Sequence, residues 1–247
     1  METILTMKNV NAGYGRINIL DGLSLRVRLG ETLGVIGPNG SGKTTMINAL
    51  SGLIRVTKGS ILFEGRDITR LSPDARCHMG IARTFQVPAP FERMRVFENV
   101  LTAAAFGNRG ERRENWQNAE KVLELTGLAD KKDWLAGRLM LLDRKRLEIA
   151  RALSTQPKLL LLDEIAAGLT SEEVREILRI VKKLKNDGLS IVWIEHIIET
   201  LQETADQLIC MAEGRMMISG APDEVLRSEK VIQLYLGTAE EEQDAVN

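Results

Sequence analysis

The sequence predicts an α/β fold: a mixed, largely parallel core sheet, an N-terminal antiparallel β subdomain and a helical subdomain. Three observations carry this. A buried-type strand runs into a glycine-rich turn and a helix in TLGVIGPNGSGKTTMINALSGL. Two continuous apolar strands, KLLLLDE and GLSIVWIEH, come much later, as expected of a parallel sheet covered on both faces. Between them the chain changes to helical periodicity.

The elements follow in order. TILTMKNV and ILDGLSLRVRLGE alternate apolar and polar residues with glycines between them, which reads as antiparallel strands. The helix after the glycine-rich turn ends near Gly52. From about Pro73 the pattern is helical, as in ERRENWQNAEKVLELTGL, and the helical subdomain is expected over about 73–155 of a single domain spanning 1–247. KLLLLDE is a strand, followed by a helix from about Ser171 to Asp187 with Thr170 and Glu173 spaced as a capping box. GLSIVWIEH is the second buried strand, and QLICMAEGRMMISG is a hairpin turning at Glu213 and Gly214. The acidic tail from about 238, with EEEQDAVN, reads as frayed.

Bulk properties narrow the function classes. With 33 basic and 34 acidic residues among 247, the net charge of -1 supplies no field that would gather nucleic acid or an anionic membrane. Cys77 and Cys210 match no metal-ligand spacing and suit two buried thiols in a reducing compartment, hence the cytoplasm. METILTMKNV has no basic region leading into an apolar core, and no run approaches a membrane span in length.

The chemistry is concentrated in three places. Gly37, Pro38, Asn39, Gly40, Ser41, Gly42, Lys43 and Thr44 fit GxxxxGKT after a strand and before a helix, the context of a P-loop NTPase core. Glycines let successive amides face phosphate, the helix start adds positive potential, and Lys43 reaches the outer phosphates. Thr44 is placed to ligate Mg2+, and Thr45 follows it into the helix. LLLLDE ends a buried strand with two carboxylates: Asp163 for the metal, Glu164 for an attacking water. A DE pair alone is often only a capping device, so its meaning depends on the loop upstream. His196 follows the second strand, which in such a sheet lies near the phosphate-loop strand and brings an imidazole towards a γ-phosphate. His78 has no such context and reads as a surface or packing residue.

Gly37 to Thr44, Gln86 in RTFQ, RKRLEIARAL, LLLLDE and His196, in that order, resemble the ATP-binding subunit of ATP-binding cassette transporters over nearly the whole chain. GIARTFQ, FERMRVFENVL, DEIAAGL and the closing YLG look like the branched-chain amino acid uptake branch, which also holds urea and amide systems. The resemblance implies ATP and Mg2+ as cofactors. It also implies adenine stacking by Tyr14 in NAGYG, against the alternative of a buried strand tyrosine, and contact of Gln86 with Mg2+ or the attacking water. It further implies membrane permease subunits, a second ATPase subunit, and indirectly an extracytoplasmic solute-binding protein, with the chain peripheral on the inner membrane face.

One stretch departs from that pattern. Where the family has LSGGQ, this chain has Leu139, Met140, Leu141, Leu142 and Asp143. Serine offers a hydroxyl and glycines admit amides close to phosphate; Met140, Leu141 and Leu142 do neither. Asp143, placed to cap its own helix, sets its charge against phosphate, with Arg144 and Lys145 placed to offset it. A missing donor to developing charge costs about 2.7–4 kcal/mol in the barrier. In the family this chain resembles, that segment serves the nucleotide held by the other subunit, and the resemblance therefore favours a heterodimer over a homodimer. The alternatives are a soluble ABC ATPase without transport, or a subunit whose hydrolysis is weakened. Ile165, where the family has proline, is expected to loosen the turn after Glu164.

Overall fold

A computed structural model of the chain describes residues 2–107 and 110–235, so the acidic tail lies outside the described residues. The chain divides into two compact units, Met1–Arg70 with Val192–Asn247, and Leu71–Ile191.

The first unit opens with β1 (Thr3–Tyr14) and β2 (Ile17–Arg28), followed by β3 (Thr32–Ile36), α1 (Lys43–Ser51), β4 (Val56–Phe63) and β5 (Arg66–Asp67). One sheet has the order β2-β1-β4-β5 and is antiparallel throughout. Its register puts like with like: Leu5 faces Val27 and Phe63, and Met7 faces Leu25 and Ile61, all of them buried. Cross-strand apolar pairs of this kind are what fix a register. All five residues of β3 are buried, and α1 ends where expected, on left-handed Gly52, whose N–H returns to the last carbonyls.

The second unit contains α2 (Pro73–His78), β6 (Ile81–Arg83), α3 (Val96–Gly107), α4 (Arg112–Leu125), α5 (Leu141–Ser154), β7 (Leu159–Asp163) and α6 (Ser171–Asn186). The short strand β6 interrupts a stretch whose pattern reads as helical; three residues are too few to impose a period of two on their neighbours. It runs parallel to β7, with Ile81 opposite Leu159 and Arg83 opposite Leu161. α3 packs on α4 and α5, and the Phe97 and Trp116 rings meet at 4.5 Å. α6 starts on the Thr170–Glu173 capping box and buries Val174, Ile177, Leu178, Val181 and Leu184 along one face.

The chain returns through β8 (Ser190–Ile194), which straddles the division, and then α7 (Ile198–Thr204), β9 (Gln207–Ala212), β10 (Arg215–Gly220) and α8 (Pro222–Leu226), with residues 229–235 helical. In the first unit the core strands run β10-β9-β3-β8. β3 and β9 are parallel and β9 and β10 antiparallel, which makes the sheet mixed as expected. The hairpin turns at Glu213 (φ 49°) and Gly214 (φ 74°), both left-handed, which suits the twist of a two-residue turn.

One detail differs from the expectation of two buried thiols. Cys210 is buried, but Cys77 is only half-buried, and both thiols are free. Among the described residues no helix is long and apolar enough to cross a membrane.

Candidate functional site

The phosphate-loop residues gather at the end of β3. Gly37 (φ 150°) lies so close to its surroundings that a Cβ would sit 2.2 Å from the Met211 carbonyl oxygen and 2.8 Å from Ser41 Oγ. Gly42 (φ 98°) is the left-handed residue before α1, with the Leu20 side chain 3.1 Å from where its Cβ would be. Any other residue at these two places would deform the loop. Lys43 is 5% exposed and curls back over the loop, its Nζ donating to the carbonyls of Gly37 at 2.7 Å and Pro38 at 2.9 Å. Ser41 Oγ is buried without a hydrogen-bond partner among the described residues. Thr44 is exposed at the first turn of α1 and Thr45 is buried. A glycine cradle, an ammonium folded onto it, a buried hydroxyl without a partner and an open hydroxyl at a helix start together fit a polyphosphate with its metal.

Tyr235 is a residue that the sequence reading passed over. Its hydroxyl accepts the Gly37 N–H at 2.9 Å, and burial pushes its ionisation upward, so it stays a neutral phenol. Cys210, buried on β9, likewise has its thiol pushed up by burial, with an opposing pull from Lys43.

Tyr14 closes β1. The residue is 46% exposed, which rules out the buried strand tyrosine, and its hydroxyl accepts from Asn48 Nδ2 at 2.6 Å. It lines a cleft of about 620 Å³ with Ile54, Arg55, Val56 and Arg70. An exposed ring pinned through its hydroxyl offers its face to a planar partner.

His196 follows β8, the sheet neighbour of β3, as expected. It is exposed, and its backbone N–H donates to Glu195 at 3.3 Å. Glu195, also missed from the sequence, is 2% exposed; it accepts from Trp193 Nε1 at 3.2 Å, and its N–H reaches the Val35 carbonyl at 3.5 Å.

The second unit assembles the carboxylates. β7 is buried over its whole length and ends on Asp163, which is 1% exposed, with Arg83 Nη2 3.5 Å from Oδ2. Thr84 ties the strands together: its N–H donates to the Leu161 carbonyl at 2.9 Å and its hydroxyl accepts the Asp163 N–H at 3.3 Å. Two residues on, Gln86 Nε2 donates to Glu164 Oε2 at 2.5 Å. Glu164 has a φ of 46°, an uncommon left-handed conformation for this residue type. Proline at 165 would oppose it, since the residue before proline avoids helical backbone angles; Ile165, fully buried, permits it. His78 is a packing residue, its Nε2 2.9 Å from the Phe106 carbonyl oxygen.

The segment Leu139 to Asp143 corrects one expectation. α5 begins after Met140, which gives no side-chain cap, and Met140 is 77% exposed. Asp143 does not cap the helix. Its carboxylate is buried, with Lys131 Nζ at 2.5 Å and Arg146 Nη1 at 3.2 Å. These two cations neutralise it; Arg144 instead donates to the carbonyls of Leu139 at 2.9 Å and Gly137 at 2.9 Å, and Lys145 turns inward. The first amides of α5 are therefore left uncovered by Asp143.

The family model described as ABC transporter matches residues 20–167. A protein of Methanocaldococcus jannaschii named probable branched-chain amino acid transport ATP-binding protein LivG is 36% identical, covering 95% of this chain and 97% of its own. The lipopolysaccharide export system ATP-binding protein LptB of Haemophilus influenzae is 32% identical, covering 95% and 98%. Among solved structures, an ATP-binding cassette of an ABC transporter in its ADP conformation superposes with a TM-score of 0.88 at 34% identity, over 96% of this chain and all of that one. Loop, carboxylate strand and relatives agree: the chain belongs to the ABC transporter family, as an ATP-binding subunit that hydrolyses ATP taken with magnesium.

Proposed function

We propose that this subunit powers uptake of branched-chain amino acids, or a related small polar solute, through partner permease subunits fed by an extracytoplasmic binding protein, and that it works on the cytoplasmic face of the membrane. Lys43 and the amides from Gly37 to Thr45 bind the phosphates, and Tyr14 stacks on adenine. Thr44, Asp163 and Gln86 serve the magnesium, partly through water; Glu164 orients or deprotonates the attacking water, and His196 contacts the γ-phosphate.

The observation that carries this reading is Lys43 folded onto the Gly37 and Pro38 carbonyls at the mouth of a glycine cradle. Phosphate oxygens outcompete carbonyls for an ammonium because they bear formal charge. The direction and the solute lean on the LivG relatives; LptB relatives are nearly as similar. The test is to isolate the chain with whatever membrane subunits accompany it and to measure solute-stimulated ATP hydrolysis in vesicles. Stimulation by a branched-chain amino acid bound to its binding protein is the expected result, and none with any small polar solute overturns it.

The subunit pairs with a different ATPase, so that its own nucleotide meets an intact signature while the segment from Leu139 to Asp143 serves the partner's weakly. A second reading, a subunit with reduced hydrolysis, draws on exposed Met140 standing where a hydroxyl donor belongs.

A further inference from the structure

α5 carries three charged side chains on successive turns that face a neighbouring loop, Lys145 and Glu148 buried and Arg151 half-buried. Lys145 is 2% exposed and Glu148 4%, and residue types of this kind are rarely buried unless matched. All three take main-chain groups of one loop, 85–91. Lys145 Nζ donates to the Gln86 carbonyl at 2.6 Å. Glu148 accepts the Phe85 N–H. Arg151 donates to the Ala89 carbonyl at 2.9 Å and to Glu148 at 3.1 Å, and lies 5.3 Å from the centre of the Phe91 ring. The loop bearing Gln86 is therefore held by α5 along much of its length, beyond the strand end at Thr84.

Lys145 does one thing more: its Nζ also donates to the Glu164 carbonyl at 3.3 Å. One ammonium thus bridges the main chains of two residues whose side chains meet at 2.5 Å. Two loops that must hold a water-orienting carboxylate within tenths of an ångström gain from such a bridge, because small misplacement of reacting groups costs large factors in rate.

We propose that Lys145 is a positioning residue for hydrolysis, its ammonium locking the main chains of Gln86 and Glu164 into one register that α5 dictates. Any shift of α5 then reaches both side chains together. This rests on the roles given above to Glu164 and Gln86. Lys145 touches neither nucleotide nor water in this scheme; the phosphate loop belongs to the other unit.

The experiment uses the ATPase complex isolated through an amino-terminal tag on this chain, with Lys145→Met, Lys145→Arg and Glu164→Gln made separately. Lys145→Met keeps the length and removes both hydrogen bonds. It is expected to lower kcat on the order of 10²-fold while KM for MgATP stays within about twofold, and Lys145→Arg is expected to recover to within about tenfold of the parent. If Lys145→Met turns over like the parent while Glu164→Gln is inactive, the positioning role is overturned and the role of Glu164 stands. If Lys145→Met loses ATP binding and thermal stability along with kcat, and Lys145→Arg does not recover, the residue is merely structural and the proposal falls. If Glu164→Gln itself turns over like the parent, the assignment of the base fails and this inference fails with it.

Discussion

Glu164 shows how much rests on single backbone angles. A left-handed φ at a non-glycine residue costs of order 1–3 kcal/mol, and here the contact with Gln86 helps to hold it. Replacing Ile165 with Pro should drive Glu164 out of that conformation and break the contact, visible as a shifted Gln86 side-chain amide resonance; an unmoved resonance would contradict the account. Glu164→Gln should abolish steady-state turnover while ATP binding persists, and unchanged hydrolysis would refute its role. Glu148 is a titration probe. Burial raises its folded pKa, against the opposing pull of Arg151, so the folded protein holds this proton to higher pH than the unfolded chain does. Stability is lost as pH rises from the ordinary glutamate range through the raised value. The stability of Glu148→Gln relative to the parent should therefore grow across that window and level off above it, measured by denaturant midpoints from acid to neutral pH. The sequence makes the placement of Lys43, Asp163, Glu164 and His196 at strand ends and a helix start legible, because each sits in a fixed local context of strand, loop and helix. Tyr235 is not legible, since its partner lies far along the chain: Gly37 is 198 residues from Tyr235.

Elements with strong periodicity were readable almost to the residue. α6 begins on the capping box that its sequence announces, and Thr170→Ala should cost about 1 kcal/mol, read as a lower unfolding midpoint. Its apolar stripe is equally plain, and Ile177→Ala, at a fully buried position, should cost roughly 2–5 kcal/mol by the same measurement. β6 was not readable, because three residues within helical surroundings carry no period of their own. α5 is the instructive case. Its charges look like an ordinary wet face in one dimension, and only the loop packed against them buries Lys145 and Glu148 and engages half-buried Arg151. The signal was present as three charges spaced three residues apart, but nothing in the sequence says which face meets protein. Asp143 misleads for the same reason: its partner Lys131 comes from a neighbouring 3-10 turn, not from its own helix.

For the molecule as a whole, the sequence specified family and chemistry through local motifs, while the division into two units and the service given by distant residues came only from folding. The proposed heterodimer rests on the contrast between an intact phosphate loop and a signature segment without hydroxyl or glycine. Isolated chain should hydrolyse ATP slowly, by a factor of roughly 10²–10³ relative to the complex with its paired ATPase, the loss associated with one missing donor; brisk turnover by the chain alone would sink the heterodimer. The hydrogen bond from the Gly37 N–H to Tyr235 carries a practical warning. A side chain 198 residues further along the chain props the Gly37 amide of the nucleotide cradle, so a proteolytic nick ahead of residue 229 is not an innocent modification. Preparations trimmed there should bind nucleotide more weakly by calorimetry, whatever the integrity of the catalytic side chains.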